Sequence, residues 1–396
     1  MELISSIDDI LSILIVLLVG IVVTLICAKA FLVPYGWALF LFIWHTFFSF
    51  VYAWYVINFG GDAITYYKEA QVGITEFNFG VTSVIFIANL IYKFIDLSFL
   101  GLGIFFSIFG FIGLLAFDAS LRHVTKEKSR NVKFLAGIII LLPSISFWSA
   151  GLGKDAIAFM ATGLALLACL NLTKRKLLMF FAIASMLLVR PHMAVLMIIA
   201  LTFAIIIGKN VNMLQRIFFG SFVLVASFLM LPYGLDYAGV QDLSVQGLMS
   251  YIEKRQTYNW KGYDGGINIS SMSLPMQMFT YLFRPLPFEA HSIFAFMSSL
   301  DNVFLLYVFV MGLFMKIKWA IAHPNLNSVF IWFYGGSALL ILSTTTATNL
   351  GIAMRQKWMF LPFFLVLFVS YFTQKNQKAL RPNQLKQIHI SQNLRQ

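Results

Sequence analysis

The chain has 396 residues, of which 60% are hydrophobic and only 11% charged, and its formal net charge is +12 at neutral pH. Charges that sparse cannot clothe one or more soluble domains, so a soluble enzyme with a single anchor is excluded and one membrane-embedded domain is expected. The basic surplus could suggest nucleic acid, but its distribution along the chain follows a membrane topology, as set out below.

About 20 helical residues cross a ~30 Å hydrocarbon core. Apolar runs of about that size predict an all-α, polytopic bundle of about eleven transmembrane helices. They fall near 10–30, 35–58, 98–117, 134–150, 156–172, 177–190, 192–208, 217–235, 302–317, 328–346 and 358–373. The first run follows Glu2, Asp8 and Asp9. A cleaved signal peptide has a positive leader and a shorter apolar core, so a retained helix is expected. Cys27 and Cys169 both lie inside apolar runs and read as core packing, with no disulfide or metal message.

After the second span comes an external segment, 59–97. Gly60-Gly61-Asp62 opens it, with Tyr66 and Tyr67 following. Gly-Gly-Asp is ordinary turn chemistry, but a carboxylate beside aromatics also suits a general base for an acceptor hydroxyl, or a metal ligand. Residues 81–95 are apolar yet interrupted by Asn89 and Lys93, and predict a helix lying in the outer interface.

Further on, Trp148 precedes Gly151-Leu152-Gly153-Lys154-Asp155, a glycine-rich turn leading into a helix. A plain ion pair is one reading. Ionisable groups at membrane depth are costly and tend to face a cavity, and helix N-termini favour phosphate. The spacing is not that of a nucleotide-binding loop. Arg190-Pro191-His192 turns a tight hairpin, where Arg190 either snorkels or binds an anion.

Residues 236–300 form the largest external loop, carrying Trp260 and, in Arg284-Pro285-Leu286-Pro287-Phe288-Glu289-Ala290-His291, either a local Arg–Glu pair or site residues. Met272 to Phe283 predicts a second interfacial helix. Near the end, Asn349, Arg355 and Lys357 lie in a hydroxyl-, amide- and cation-rich run, which either anchors the interface or holds an anionic ligand such as a lipid pyrophosphate. Residues 374–396 form a polar, basic cytoplasmic tail. The six histidines are scattered, without metal-ligand spacing.

With the N-terminus outside, 18 of the 28 basic residues fall inside, with only Asp118 and Glu127 of the 16 acids. That is the asymmetry of the positive-inside rule. Merging 177–190 with 192–208 into one helix changes the basic balance to 15 inside against 12 outside and strands Arg190 in mid-membrane, so the hairpin is kept. The same topology puts Asp62, Lys154, Arg190, Arg284 and Arg355 all on the outer face. Carboxylates and cations meeting at one membrane surface suit an amphiphilic anion.

The early aspartate loop with its interfacial helix, and the later arginine-bearing external loops, resemble the GT-C superfamily of membrane glycosyltransferases. Segments 147–155, 190–192, 284–289 and 349–357 are similar to membrane proteins of exopolysaccharide and O-antigen gene clusters, including Wzy-type polymerases and ligases. That resemblance implies a sugar donor on a polyprenyl phosphate or pyrophosphate, and transfer on the extracytoplasmic face of the cell inner (plasma) membrane. Asp62, or else Glu289 or His192, would be the base. Lys154, Arg190, Arg284, Arg355 and Lys357 would hold lipid phosphate. Tyr66, Tyr67, Trp148 and Trp260 would pack on sugars, with Asp155 and Asn349 also lining the substrate. No cofactor is assigned, though a divalent cation is a candidate. The partners implied are the lipid-linked saccharide, the bilayer and other polysaccharide-assembly membrane proteins, and no nucleic acid. Two departures stand out: Asp62 follows two helices where many GT-C enzymes have one, and it lacks an adjacent second carboxylate. A flippase for the same glycans, or a non-catalytic assembly partner, is the alternative.

Overall fold

The structure is a computed structural model that describes residues 6–73, 76–207, 213–240, 242–261, 267–319 and 326–372. The described residues are helical, without strands. In chain order the helices are α1 (Ile7–Phe31), α2 (Tyr35–Phe59), α3 (Asp62–Val72), α4 (Val81–Ile95), α5 (Phe99–Thr125), α6 (Arg130–Ile140), α7 (Pro143–Ser149), α8 (Lys154–Cys169) and α9 (Lys176–Val189). There follow α10 (Pro191–Ile207), α11 (Met213–Ala238), α12 (Val245–Lys261), α13 (Leu274–Phe283), α14 (Ile293–Trp319), α15 (Ser328–Thr346), α16 (Leu350–Gln356) and α17 (Leu361–Tyr371). Single 3₁₀ turns occupy Pro287–Glu289 and Lys357–Met359.

Six helical stretches among the described residues are long and apolar enough to cross a membrane: α1, α2, α5, Arg130–Ser149, Ile293–Ile317 and α15. A seventh arises if Leu350–Met359 and α17, bent by 62° against each other, form one broken span. The expected spans at 177–190, 192–208 and 217–235 fall on shorter apolar helices, and that at 156–172 falls on the 16-residue α8. Helices α4 and α13 occupy the two stretches expected to lie in the interface. The basic tail at 374–396 lies outside the described residues, as does the side chain of Trp260.

Exposed Leu14, Leu18, Ile43, Phe47, Val303 and Val310 give α1, α2 and α14 bare apolar flanks, the surface a helix presents to lipid. The core is instead α5, buried over nearly its whole length. Apolar tails solvate apolar side chains as well as other helices do, so association in lipid depends on close backbone approach through small residues. That is how α5 meets α8: a Cβ on Gly113 would lie 2.5 Å from the Phe159 carbonyl oxygen, and one on Gly163 2.2 Å from that of Gly113.

Breaks in helices expose carbonyls, and in an apolar setting these need donors. At the α16–α17 bend the Met359 carbonyl accepts from Thr162 Oγ1 at 2.8 Å and Tyr334 Oη at 3.1 Å. Those two bonds hold the segment bearing Arg355 and Trp358 against α8 and α15. Similarly, Ser49 Oγ donates to the Ala150 carbonyl at 2.8 Å, holding the α7–α8 turn on α2.

Candidate functional site

The site forms around the N-terminus of α8. Gly153 caps that helix without any side-chain hydrogen bond, so its first-turn N–H groups keep their capacity to bind an acceptor. The turn leading into it is tight because the Tyr52 ring lies on it: a Cβ at Gly151 would come within 2.1 Å of that ring.

Asp155, in the first turn, receives two guanidinium groups. Arg190 Nη2 donates to Asp155 Oδ1 at 2.8 Å, and Arg355 Nε lies 3.2 Å from Asp155 Oδ2. Arg355 also reaches Asp62, the first residue of α3, with Nη1 donating to Oδ2 at 3.2 Å. Residues 62, 155, 190 and 355, far apart in sequence, thus form one chain of ion pairs. It is graded in exposure: the Arg190 side chain is 7% exposed, Asp155 17%, Arg355 24% and Asp62 57%. The lattice opens outward at Asp62.

Lys154 stands in the field of all four of these groups, yet among the described residues its ammonium has no hydrogen-bond or ion-pair partner. Arg190 Nε is likewise buried without an acceptor. Tyr66 lies beside the lattice, about 3.9 Å from the Cβ direction of Gly153. Burial, and then the neighbouring Asp62 carboxylate, push its phenol up from its ordinary value, so it stays a neutral hydroxyl. Asp155 and Arg355 also line a small cavity of about 10 Å³ whose walls include Trp148, Phe159 and Trp358. The indole N–H groups of Trp148 and Trp358 are buried without acceptors.

The structure therefore brings Asp62, Tyr66, Trp148, Lys154, Asp155, Arg190 and Arg355 together. His192 adjoins the group through Arg190 and stacks on Tyr237, ring centroids 5.7 Å apart. The remaining expected residues have other engagements. Tyr67 turns away, its hydroxyl donating to the Leu97 carbonyl at 3.3 Å and its ring meeting Tyr92 and Phe99. Asn349 is the N-cap of α16, accepting from Ile352 N at 3.1 Å. Lys357 is sealed inside, bonded to the Leu282 carbonyl and the Asn302 side chain. Arg284 and Glu289 bind one another, and Glu289 also accepts from Leu286 N at 2.8 Å.

Tyr52 and Trp358 complete the site and escaped sequence reasoning. Tyr52 sits in an aromatic-rich stretch that reads as packing, and Trp358 follows a charged run that drew attention to its cations. Among the described residues no group of three or more His, Cys, Asp or Glu side chains is placed to hold a metal ion. Asp62 and Asp155 both face guanidinium groups.

No family model matches the chain, and neither the curated proteins nor the solved structures include a match to it.

Proposed function

We propose that the chain is a multi-pass membrane glycosyltransferase, of the single-sugar or polymerase kind, acting on polyprenyl-phosphate-linked saccharide outside the cytoplasm. The observation that carries this reading is the unpaired Lys154 ammonium on the uncapped first turn of α8, beside a carboxylate–guanidinium lattice that opens at Asp62. Cations without protein partners and free helix N–H groups suit an anionic ligand. A half-exposed carboxylate beside them suits a base. The eleven-span topology with both Asp62 and Arg355 outside is part of the same proposal, and the ion pair between those two residues supports it.

In this mechanism the lipid phosphate rests on the α8 N-terminus, Lys154 and Arg190. The acceptor hydroxyl attacks the anomeric carbon, its proton passes to Asp62, and the bond from that carbon to the phosphate oxygen breaks. The electron pair leaves with the lipid phosphate, whose growing charge the cations stabilise. Arg355 is the link that places Asp62. Tyr66, Tyr52 and Trp148 supply neutral hydroxyl and aromatic surface for sugar.

One observation favours a flippase instead. The α16–α17 bend lies at the site, and broken helices at a binding site are a device of transporters. Replacing Asp62, Lys154 and Arg355 singly by Ala in the producing cell separates the two. A transferase keeps its membrane level, loses long surface glycan and accumulates unextended lipid-linked units on the outer leaflet. Accumulation on the inner leaflet would assign transport, and unchanged glycan would remove both readings.

A further inference from the structure

Within the proposed site the charges can be counted. Lys154 and Tyr66 are both in the field of Asp62, Asp155, Arg190 and Arg355. With Lys154 itself the site holds three cations and two carboxylates, an excess of one positive charge. Of the other nearby cations, Arg284 pairs with Glu289, Lys357 bonds polar acceptors with Asp301 in its field, and Arg255, felt at His192, is engaged by the Ala238 carbonyl.

An anion entering this site meets one ammonium without a protein partner and the first turn of α8, in the field of the buried Arg190 guanidinium. A single negative charge is neutralised there. A second would have to be stripped of water with no cation of its own, unless it took Arg355 from Asp62, and uncompensated buried charge is costly. Resting on the functional reading above, we infer that the ligand is an amphiphilic phosphodiester carrying one negative charge: a lipid monophosphate ester of a sugar, not the diphosphate.

Binding to the full chain in lipid nanodiscs tests this, with geranyl phosphoglucose, geranyl diphosphoglucose and the short-chain diester methyl phosphoglucose as probes. The wild type should bind the monophosphate ester about tenfold or more tighter than the diphosphate ester. Asp62→Asn frees one side of Arg355 and raises the excess charge by one, so it should shift that preference about tenfold towards the diphosphate. A wild type that prefers the diphosphate, or a preference that Asp62→Asn leaves unmoved, overturns the inference while leaving the transferase reading standing. Methyl phosphoglucose, with the same single charge and no lipid tail, binding as tightly as the geranyl ester would overturn the amphiphile assignment. If Lys154→Met weakens neither lipid probe, the phosphate site itself is wrong and the functional reading falls with it.

Discussion

Lys154 and Lys357 both stand where one helix ends and another begins, and they are wired in opposite ways. Lys357 is 1% exposed, and its ammonium donates to the Leu282 carbonyl and to Asn302 Oδ1. Asn302 in turn donates to the Pro285 carbonyl at 3.0 Å, and the adjacent Asp301 accepts from Ser144 N at 2.8 Å. That network pins α7, α13 and α14 to the turn after Arg355. Lys154, by contrast, lies among four charged groups and bonds to none of them. A cation with its donors taken up by the protein holds structure together, while a half-buried one whose donors have no protein partner is ready for something else. Proximity to charge does not distinguish the two; saturation of the donors does.

The largest effect that could break the comparison is on folding. Lys357→Met leaves two buried acceptors without a donor, each costing about 1–3 kcal/mol. Its melting temperature in detergent should fall well below that of the wild type. Lys154→Met removes no bond, and its melting should stay within about 0.5 kcal/mol of wild type. If the two variants melted alike, the division into pin and binder would be wrong.

Next in size, on the proposed transferase reading, is the effect on product. Lys154→Met should reduce surface glycan formation about a hundredfold at unchanged membrane level, the scale of losing one charge-stabilising group. Arg355→Ala should match that loss and also destabilise, because Asp155 and Asp62 each lose a guanidinium. Arg284→Ala breaks only its local pair with Glu289, so it should leave most of the product intact. Glycan length profiles of the three variants, at matched protein levels, would order them.

Much of the site was legible because membrane burial makes charge rare and therefore informative. Residues 62, 154, 155, 190 and 355 stood out as ions in apolar surroundings, and counting lysines and arginines along the chain put them on one side. What the sequence could not convey was which ions answer each other. Lys357 and Arg355 are two residues apart and looked equivalent. Residues two apart on a helical turn diverge by about 200° around its axis, so Lys357 points towards α13 and α14 while Arg355 faces α8. Likewise, Tyr66 and Tyr67 are neighbours on α3 and necessarily leave it in different directions, so only one can face the lattice. In the fold, the long apolar helices were plain, whereas the packing of α5 on α8 turns on Gly113 and Gly163. Glycines within an apolar run look no different from any other helix interior until the partner is known.

The smallest effect extends the comparison to the closed Arg284–Glu289 pair. Burial alone would raise the Glu289 carboxyl above its ordinary value of 4.5. The Arg284 guanidinium bonded to it, the Leu286 N–H and the surrounding positive charge outweigh that, and hold it lower in the folded chain. A carboxyl lowered by folding adds stability above its unfolded value and loses that stability as pH falls through the folded one. Partly exposed pairs of this kind contribute about 0.2–1 kcal/mol. Melting of the wild type should therefore exceed that of Glu289→Gln slightly at neutral pH. The gap should be held down to about pH 4.5 and close as the medium is acidified further. A gap that instead widened on acidification would mean that Glu289 is held protonated in the fold, and the pair with Arg284 would not be a closed ionic one.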